Sequence, residues 1–178
     1  MDRKPFLKGA VEALLFTSPL PLSLAKLKSL LSSSTEEIKG VIEELKREYS
    51  SDDRGIVLRE VGGGYKIFVR KEYGEVVRKL GKKKKKKLSK AALETLALIA
   101  YRQPITRYEI EQLRGVDSRE TIKTLKSLGL IKVVGKKDAP GKPLLYGTTR
   151  EFLIRFGLKS LKELPKREEF LKWGKEKN

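Results

Sequence analysis

The sequence predicts a mostly α-helical protein with small β wings, an α+β class built as two tandem winged-helix domains joined by a lysine-rich linker. Six consecutive lysines, Lys82 to Lys87, split the 178 residues into two stretches of similar length. Each stretch runs through the same order of patterns. Three apolar periodicities of helical spacing come first, then two short segments that read as strands on either side of a glycine-bearing turn. In each, a Ser or Thr followed three residues later by Glu marks a helix start (Ser34 with Glu37, Thr106 with Glu109). The expected boundaries are 1–80 for an N-terminal domain, 81–87 for the linker, 88–164 for a C-terminal domain and 165–178 for a charged tail.

Phe6 to Phe16 reads as an amphipathic helix, stopped by Ser18-Pro19-Leu20-Pro21, since proline lacks a backbone donor and constrains its predecessor. Ser23 caps a short helix carrying Leu24, Leu27 and Leu30. The Ser34/Glu37 box opens a third helix with Ile38, Val41, Ile42 and Leu45 as its stripe. Ile56 to Val61 and Tyr65 to Val69 alternate like strands around Gly62-Gly63-Gly64. Lys82 to Lys87 repel one another and bury nothing, so the run reads as a solvated spacer, and Gly81 opposes a helix running through it.

Beyond the linker, Ser89 caps a helix from Ala91 to Tyr101 with Leu93, Leu96, Ala97 and Ala100 turned inward, and Arg102-Gln103-Pro104 ends it. Thr106 and Glu109 open a short helix with Ile105 and Ile110 at the hydrophobic-staple positions, and Gly115 closes it. Asp117 or Ser118 caps a third helix striped by Ile122, Leu125 and Leu128. Gly129 suits a left-handed C-cap, with Leu130 folded back on Leu125. Ile131 to Val134 and Leu144 to Tyr146 pair as strands around a Lys-, Gly- and Pro-rich loop. Thr148 or Thr149 then caps a closing helix through Phe152, Leu153 and Phe156.

The chain holds neither cysteine nor histidine. That removes disulfides, thiolate nucleophiles, ordinary zinc sites and the usual general base near neutral pH, so no catalytic residue, metal or cofactor is expected. No apolar run approaches the ~18 residues of a membrane span. The start leads into a helix without a signal-peptide pattern, and a cytoplasmic location is expected. Two glycine-bearing stretches fail as phosphate cradles. Gly62-Gly63-Gly64 lies between strands, and Gly135 to Lys142 places five residues between its glycines where four are needed, with Pro143 in place of the magnesium-binding hydroxyl.

The formal charge of +18 is unevenly spread: residues 81–90 carry seven basic and no acidic side chains, against a net of +3 over 1–80 and +6 over 91–164. A nucleic-acid role and a Lys- and Glu-rich thermophile surface both fit that distribution. In a helix-turn-helix DNA reader the third helix enters the major groove. In the first domain that helix carries Glu36, Glu37, Glu43, Glu44 and Glu48 against Lys39, Lys46 and Arg47, a balance that phosphate repels. In the second it carries Arg119, Lys123 and Lys126 against Glu120, and the wing adds Lys136, Lys137 and Lys142. Non-specific DNA contact is physically permitted at Arg119, Lys123, Lys126, Lys136 and Lys137. It is equally open at Lys82, Lys83, Lys84, Lys85, Lys86 and Lys87, where the competing reading is a spacer. Base-reading side chains other than Arg119 are missing from the helix.

The string Ala91-Ala92-Leu93-Glu94-Thr95-Leu96-Ala97-Leu98-Ile99-Ala100-Tyr101-Arg102-Gln103-Pro104-Ile105-Thr106 closely resembles segregation and condensation protein B. So do Leu144-Leu145-Tyr146-Gly147-Thr148-Thr149, Phe152-Leu153 and Phe156-Gly157-Leu158-Lys159-Ser160-Leu161. Lys137 to Pro143 fits the wing of that family, and Arg114-Gly115-Val116 its helix-turn. The resemblance covers 91–165 almost without gaps. It extends over 6–79 more loosely, through the order of elements and Glu12-Ala13-Leu14-Leu15-Phe16.

The resemblance implies a double winged-helix protein that performs no chemistry and forms a homodimer, largely through its N-terminal domains. It implies binding to the kleisin subunit, segregation and condensation protein A, which bridges the heads of the SMC ATPase in chromosome condensation and segregation. A cytoplasmic, nucleoid-associated location goes with that role. Small domains bury a limited fraction of their surface, which independently favours an oligomer. Partner contact is expected at Tyr101, Arg102, Gln103 and Arg107, where an aromatic ring and guanidinium groups can anchor a polypeptide; the competing reading of these residues is local structure. The alternative function is a winged-helix DNA-binding transcriptional regulator.

Overall fold

The computed structural model describes residues 3–80 and 88–165. Among these, residues 3–80 with 157–165 form one compact unit and residues 88–156 another. The Lys82–Lys87 run and the tail after Pro165 lie outside the described residues.

In the first unit, helices α1 (Arg3–Thr17), α2 (Leu24–Leu31) and α3 (Thr35–Glu48) precede a hairpin of β1 (Ile56–Val61) and β2 (Gly64–Val69). A 3-10 turn and the short α4 (Gly74–Arg78) follow. The helix starts are those the caps predict. Ser23 Oγ accepts from the Lys26 amide at 3.2 Å. At α3 the box closes in both directions: Ser34 Oγ accepts from the Glu37 amide at 3.1 Å, and the Glu37 carboxylate accepts from the Ser34 amide at 2.8 Å. Leu7, Val11 and Leu15 of α1 meet Ile38, Val41, Ile42 and Leu45 of α3, with Leu27 and Leu58 completing one apolar core. Each such side chain contributes about 1.5–3 kcal/mol of burial. Leu30, expected in the stripe of α2, is instead 48% exposed. The inward positions are Leu24, Leu27 and Leu31, one step further round the helix.

The hairpin registers Ile56 opposite Val69 and Val61 opposite Gly64. Gly62 and Gly63 turn it with φ of 56° and 72°, the left-handed pair that a tight hairpin favours. Gly64 is required for space: a Cβ there would lie 2.8 Å from both the carbonyl carbon and the oxygen of Leu22. The chain leaving Pro21 presses on the hairpin at that point, through Leu22 N–H to Tyr65 O at 2.9 Å and Tyr65 N–H to Leu22 O at 2.8 Å.

The second unit repeats the order helix, helix, helix, hairpin, which is the order of a winged helix. It comprises α5 (Lys90–Arg102), β3 (Ile105–Thr106), α6 (Arg107–Arg114), α7 (Arg119–Ser127), β4 (Ile131–Lys136), β5 (Leu144–Thr148) and α8 (Arg150–Phe156). The sheet order is β3-β5-β4, all antiparallel. Strand β3 is absent from the sequence reading, because two residues between a proline and a helix cap carry no alternation to detect. The inward stripe of α5 also differs from expectation. Ala92, Thr95, Leu96, Ile99 and Ala100 are buried, while Leu93 is 45% exposed. Thr95 tolerates complete burial because its hydroxyl donates to Ala91 O at 2.8 Å.

Gly129 takes φ 68° after α7, and Leu130 N–H donates to Leu125 O at 3.0 Å, the expected C-cap. Ser118 stands at the N-cap of α7 without a side-chain capping bond, and Asp117 Oδ1 accepts the Arg119 amide at 2.8 Å instead. Thr149 Oγ1 accepts from the Phe152 amide at 3.2 Å and starts α8. Gly157, at φ 71°, ends that helix. From here the chain groups by contact with the first unit. Leu158 O accepts the Gly62 amide of the hairpin turn at 2.9 Å.

Candidate functional site

In the second unit, the end of α5 and the start of α6 hold the residues expected to meet a partner. Tyr101, Arg102 and Arg107 are exposed there. Gln103 is not presented in the same way. Its Oε1 accepts the Thr148 amide at 2.8 Å, and its Nε2 donates to Ala100 O and to Thr148 Oγ1, both at 3.1 Å. The amide thus straps β5 to the end of α5. The fit is close enough that a Cβ on Gly147 would lie 2.9 Å from Gln103 Oε1.

Beside Arg107 a groove of about 460 Å³ runs between α6, α7 and β5. Ile122 and Tyr146, both buried, form its floor, and Tyr108 and Leu144 stand exposed at its edges. Arg107, Arg119, Lys123 and Lys126 supply positive charge around it, and Glu111 is the one carboxylate in its lining. Arg107 Nε lies 3.7 Å from Glu111 Oε1. A second hollow, of about 560 Å³, continues past Arg107 toward Asp117.

The cations expected to permit DNA contact divide by their neighbours. Arg119 is gripped by Asp117 through Nε at 2.8 Å and Nη2 at 2.6 Å. Those bonds hold the Asp117 carboxyl down at about 2. Lys123 lies 3.9 Å from Glu120, and Lys137 donates to Glu109 Oε1 at 2.6 Å. Glu109 also accepts from the Thr106 amide and hydroxyl at 2.8 Å each, so Lys137 first and Thr106 second hold its carboxyl down at about 2. Lys126 and Lys136 are exposed on α7 and β4.

In the first unit the acidic character of α3 is organised differently from its appearance in the sequence. Glu44 and Glu48 both hold Lys8 of α1, Glu44 at 2.9 Å. Glu37 closes the capping box, and Glu43 pairs with Lys46 at 2.6 Å. Three of the five glutamates therefore perform structural work, leaving Glu36 and Glu43 beside Lys39 and Arg47 on the outer face. Tyr49 closes the same seam: its hydroxyl donates to Glu12, and burial together with that carboxylate pushes the phenol up to about 12.

One surface of this unit gave no signal in the sequence reading. The outer face of α1 carries Phe6, 60% exposed, and Phe16, 74% exposed, with exposed Gly9 and Ala13 between them. The spacing of three, four and three residues is a second apolar stripe, opposite the Leu7, Val11 and Leu15 stripe that enters the core. The cue was available: α1 is apolar on more than one side, which a helix with a single buried face does not need.

Among the described residues there is no group of three or more carboxylates, histidines or cysteines placed to hold a metal ion. No helix among them is long and apolar enough to cross a membrane.

A family model described as segregation and condensation complex subunit ScpB matches residues 9–167. Segregation and condensation protein B of Syntrophotalea carbinolica is 48% identical over 170 residues, covering 96% of this chain and 86% of that one. Its counterpart in Geobacillus kaustophilus is 50% identical over 160 residues, covering 89% and 74%. Among solved structures, ScpB from Mycobacterium tuberculosis is 35% identical, covering 87% of this chain and 97% of that one, with a TM-score of 0.42. A dimer of the ScpB N-terminal domain complexed with a ScpA peptide is 36% identical, covering 48% of this chain and 100% of that one, with a TM-score of 0.43.

Proposed function

The chain belongs to the segregation and condensation complex subunit ScpB family, and from that premise we propose that it is a non-catalytic accessory subunit of an SMC–kleisin complex. It acts as a homodimer that binds the kleisin, segregation and condensation protein A, during chromosome condensation and segregation. Its place is at the nucleoid in the cytoplasm. The observation that carries this reading is the family match running from residue 9 to residue 167, through both units.

The second apolar stripe of α1 supports the homodimer. When two copies of α1 cross antiparallel, Phe6 of one faces Phe16 of the other and Gly9 faces Ala13, because both pairs are centred on position 11. A two-fold interface needs such self-complementarity, and the small residues at its centre let the helices approach closely. The N-terminal domain is thus the dimerising half. For the kleisin, Tyr101, Arg102 and Arg107 are the proposed contacts on the second unit. Gln103 contributes by holding their turn in place.

Two measurements test this. The chain and the kleisin encoded by the same genome should co-elute in size-exclusion chromatography, and separate elution of two folded proteins rejects the assignment. Light scattering should give the mass of a dimer for the wild type and of a monomer for Phe6→Glu. A wild-type monomer at micromolar concentration removes the homodimer.

A further inference from the structure

We propose that residues 157–164 are a latch: they close over the tip of the first unit's hairpin and open from it while both units stay folded. The latch is a property of the chain alone and does not depend on which partner the protein serves.

The hairpin tips of the two units differ in a way that their shared order of elements does not require. In the second unit the loop from Lys136 to Lys142 is exposed along most of its length. In the first, Val61 is 1% exposed and Gly62 beside it is buried, although Val61 does not belong to the core between α1 and α3. A tip that projects into water does not bury its last residues, so this one is covered.

Two stretches of chain lie against it. Leu22 pairs with Tyr65 through two backbone bonds. On the other hand, Gly157 turns the chain at φ 71°, and Leu158 O then accepts the Gly62 amide at 2.9 Å. Lys159 Nζ stands 3.8 Å from Glu60 Oε2. The segment is also braced within itself: Glu163 Oε2 accepts the Lys159 amide at 2.7 Å, and Ser160 Oγ accepts the Lys162 amide at 3.3 Å. Leu158 and Leu164 are its half-buried side chains. It meets the tip as a formed turn.

The grip is weak beside the folds it connects. One neutral backbone bond and one exposed ion pair favour the closed form by about tenfold to a hundredfold. The folding of a small domain is favoured by about a thousandfold or more. Opening of the latch is therefore the more frequent event, a local one that leaves the rest of the structure in place. The described chain leaves the first unit at residue 80 and groups with it again from 157. Of these two attachments, only the second can be undone without breaking a covalent bond, and opening it leaves the second unit on a single tether.

Hydrogen exchange of the full-length chain, read by NMR at single amides, tests this. Tyr65, whose amide donates to Leu22 O at 2.8 Å in the same hairpin, is the internal reference. In the wild type Gly62 should be protected about tenfold to a hundredfold, and Tyr65 about tenfold more or beyond. Lys159→Glu with Glu163→Ala sets a carboxylate against Glu60 and removes the brace. It should lower protection at Gly62 about fivefold or more and leave Tyr65 within about twofold. Raising salt from about 20 to about 500 mM should lower wild-type protection at Gly62 about twofold relative to Tyr65. Lys159→Glu alone serves as the second variant if the double substitution unfolds the chain.

Selective loss at Gly62 supports the latch. A Gly62 amide that exchanges freely in the wild type overturns it, since the tip is then open in solution. Equal protection at Gly62 and Tyr65 overturns it too, because the segment then opens only when the unit unfolds. Protection at Gly62 that the variants leave unchanged assigns the cover of the tip to other residues and overturns it as well.

Discussion

Glu109 joins the start of α6 to the wing, and replacing it tests whether that join stabilises the second unit. Its carboxylate accepts from the Thr106 amide and hydroxyl at 2.8 Å and from Lys137 Nζ at 2.6 Å, and together these hold it at about 2 instead of 4.5. A shift of that size corresponds formally to about 3 kcal/mol at neutral pH. The side chain is 38% exposed, however, and water and salt screen the Lys137 pair, which leaves about 1 kcal/mol. Glu109→Gln keeps an acceptor for the Thr106 amide and loses the charge. Glu109→Ala loses both, adding about 1 kcal/mol for the opened capping box.

In a unit of this size 1 kcal/mol moves Tm by about 4–8 °C, so the Gln variant should melt about 5 °C lower at pH 7 and the Ala variant about 10 °C lower. The pH dependence follows from the sign of the shift. The folded pKa is depressed, so the contribution is complete above 4.5 and is lost as pH falls from there through about 2. Circular dichroism melts at pH 7 and pH 2 should therefore show wild type and Glu109→Gln converging in acid. An equal gap at both pH values refutes the charge-based account, and no gap at either refutes the join itself.

Four further substitutions probe other parts of the fold. Arg70 Nη2 donates to the carbonyls of Tyr49, Ser50 and Ser51 at 3.1, 2.7 and 2.8 Å, just beyond the end of α3. Arg70→Ala should cost about 2 kcal/mol and lower the urea midpoint of the first unit; an unchanged midpoint means water satisfies those carbonyls equally well. Two glycines in the same unit should respond with opposite sign. Gly64→Ala drives a Cβ into Leu22 backbone at 2.8 Å and should destabilise by about 2 kcal/mol or more, whereas Gly40→Ala, in a helix with nothing within 4 Å, should stabilise by about 1 kcal/mol. Equal responses in urea titrations contradict the packing described here. Leu125, fully buried in α7, should cost about 3 kcal/mol as Ala, read as a lower melting temperature for the second unit; a cost under about 1 kcal/mol means that the core around it collapses to fill the space.

Helix starts were the most legible part of the fold, because a cap is a local event. Ser34 with Glu37 and Thr106 with Glu109 announce themselves within four residues, and both boxes close as read. Helix faces were less legible. On α5 the sequence offers apolar side chains on several sides, and the buried set turns on a threonine whose hydroxyl satisfies itself on the helix backbone. Nothing local says that Thr95 goes in and Leu93 stays out; the neighbouring helices decide it. The candidate contacts behaved similarly. Tyr101, Arg102 and Arg107 are exposed as a contact surface needs, but Gln103 is engaged by Thr148, a residue 45 positions later in the chain. Pairings at that separation leave no periodicity to read.

The same limit corrects the sequence-based account of why the first unit's third helix should avoid DNA. Counting charges makes α3 net negative, yet Glu44 and Glu48 face Lys8 of α1 and Glu37 faces its own helix start. The outer face is closer to neutral than the count implies, so long-range repulsion alone does not set its partner. What distinguishes the unit is the charge-free stripe from Phe6 to Phe16 on the neighbouring helix, with two exposed aromatics that water solvates poorly. If that stripe sets the partner, Glu36→Lys with Glu43→Lys should leave the dimer mass unchanged and raise DNA affinity little, while Phe6→Glu alone should dissociate the dimer. Strong duplex binding by the lysine variant at physiological salt, with the dimer intact, would restore charge as the determinant.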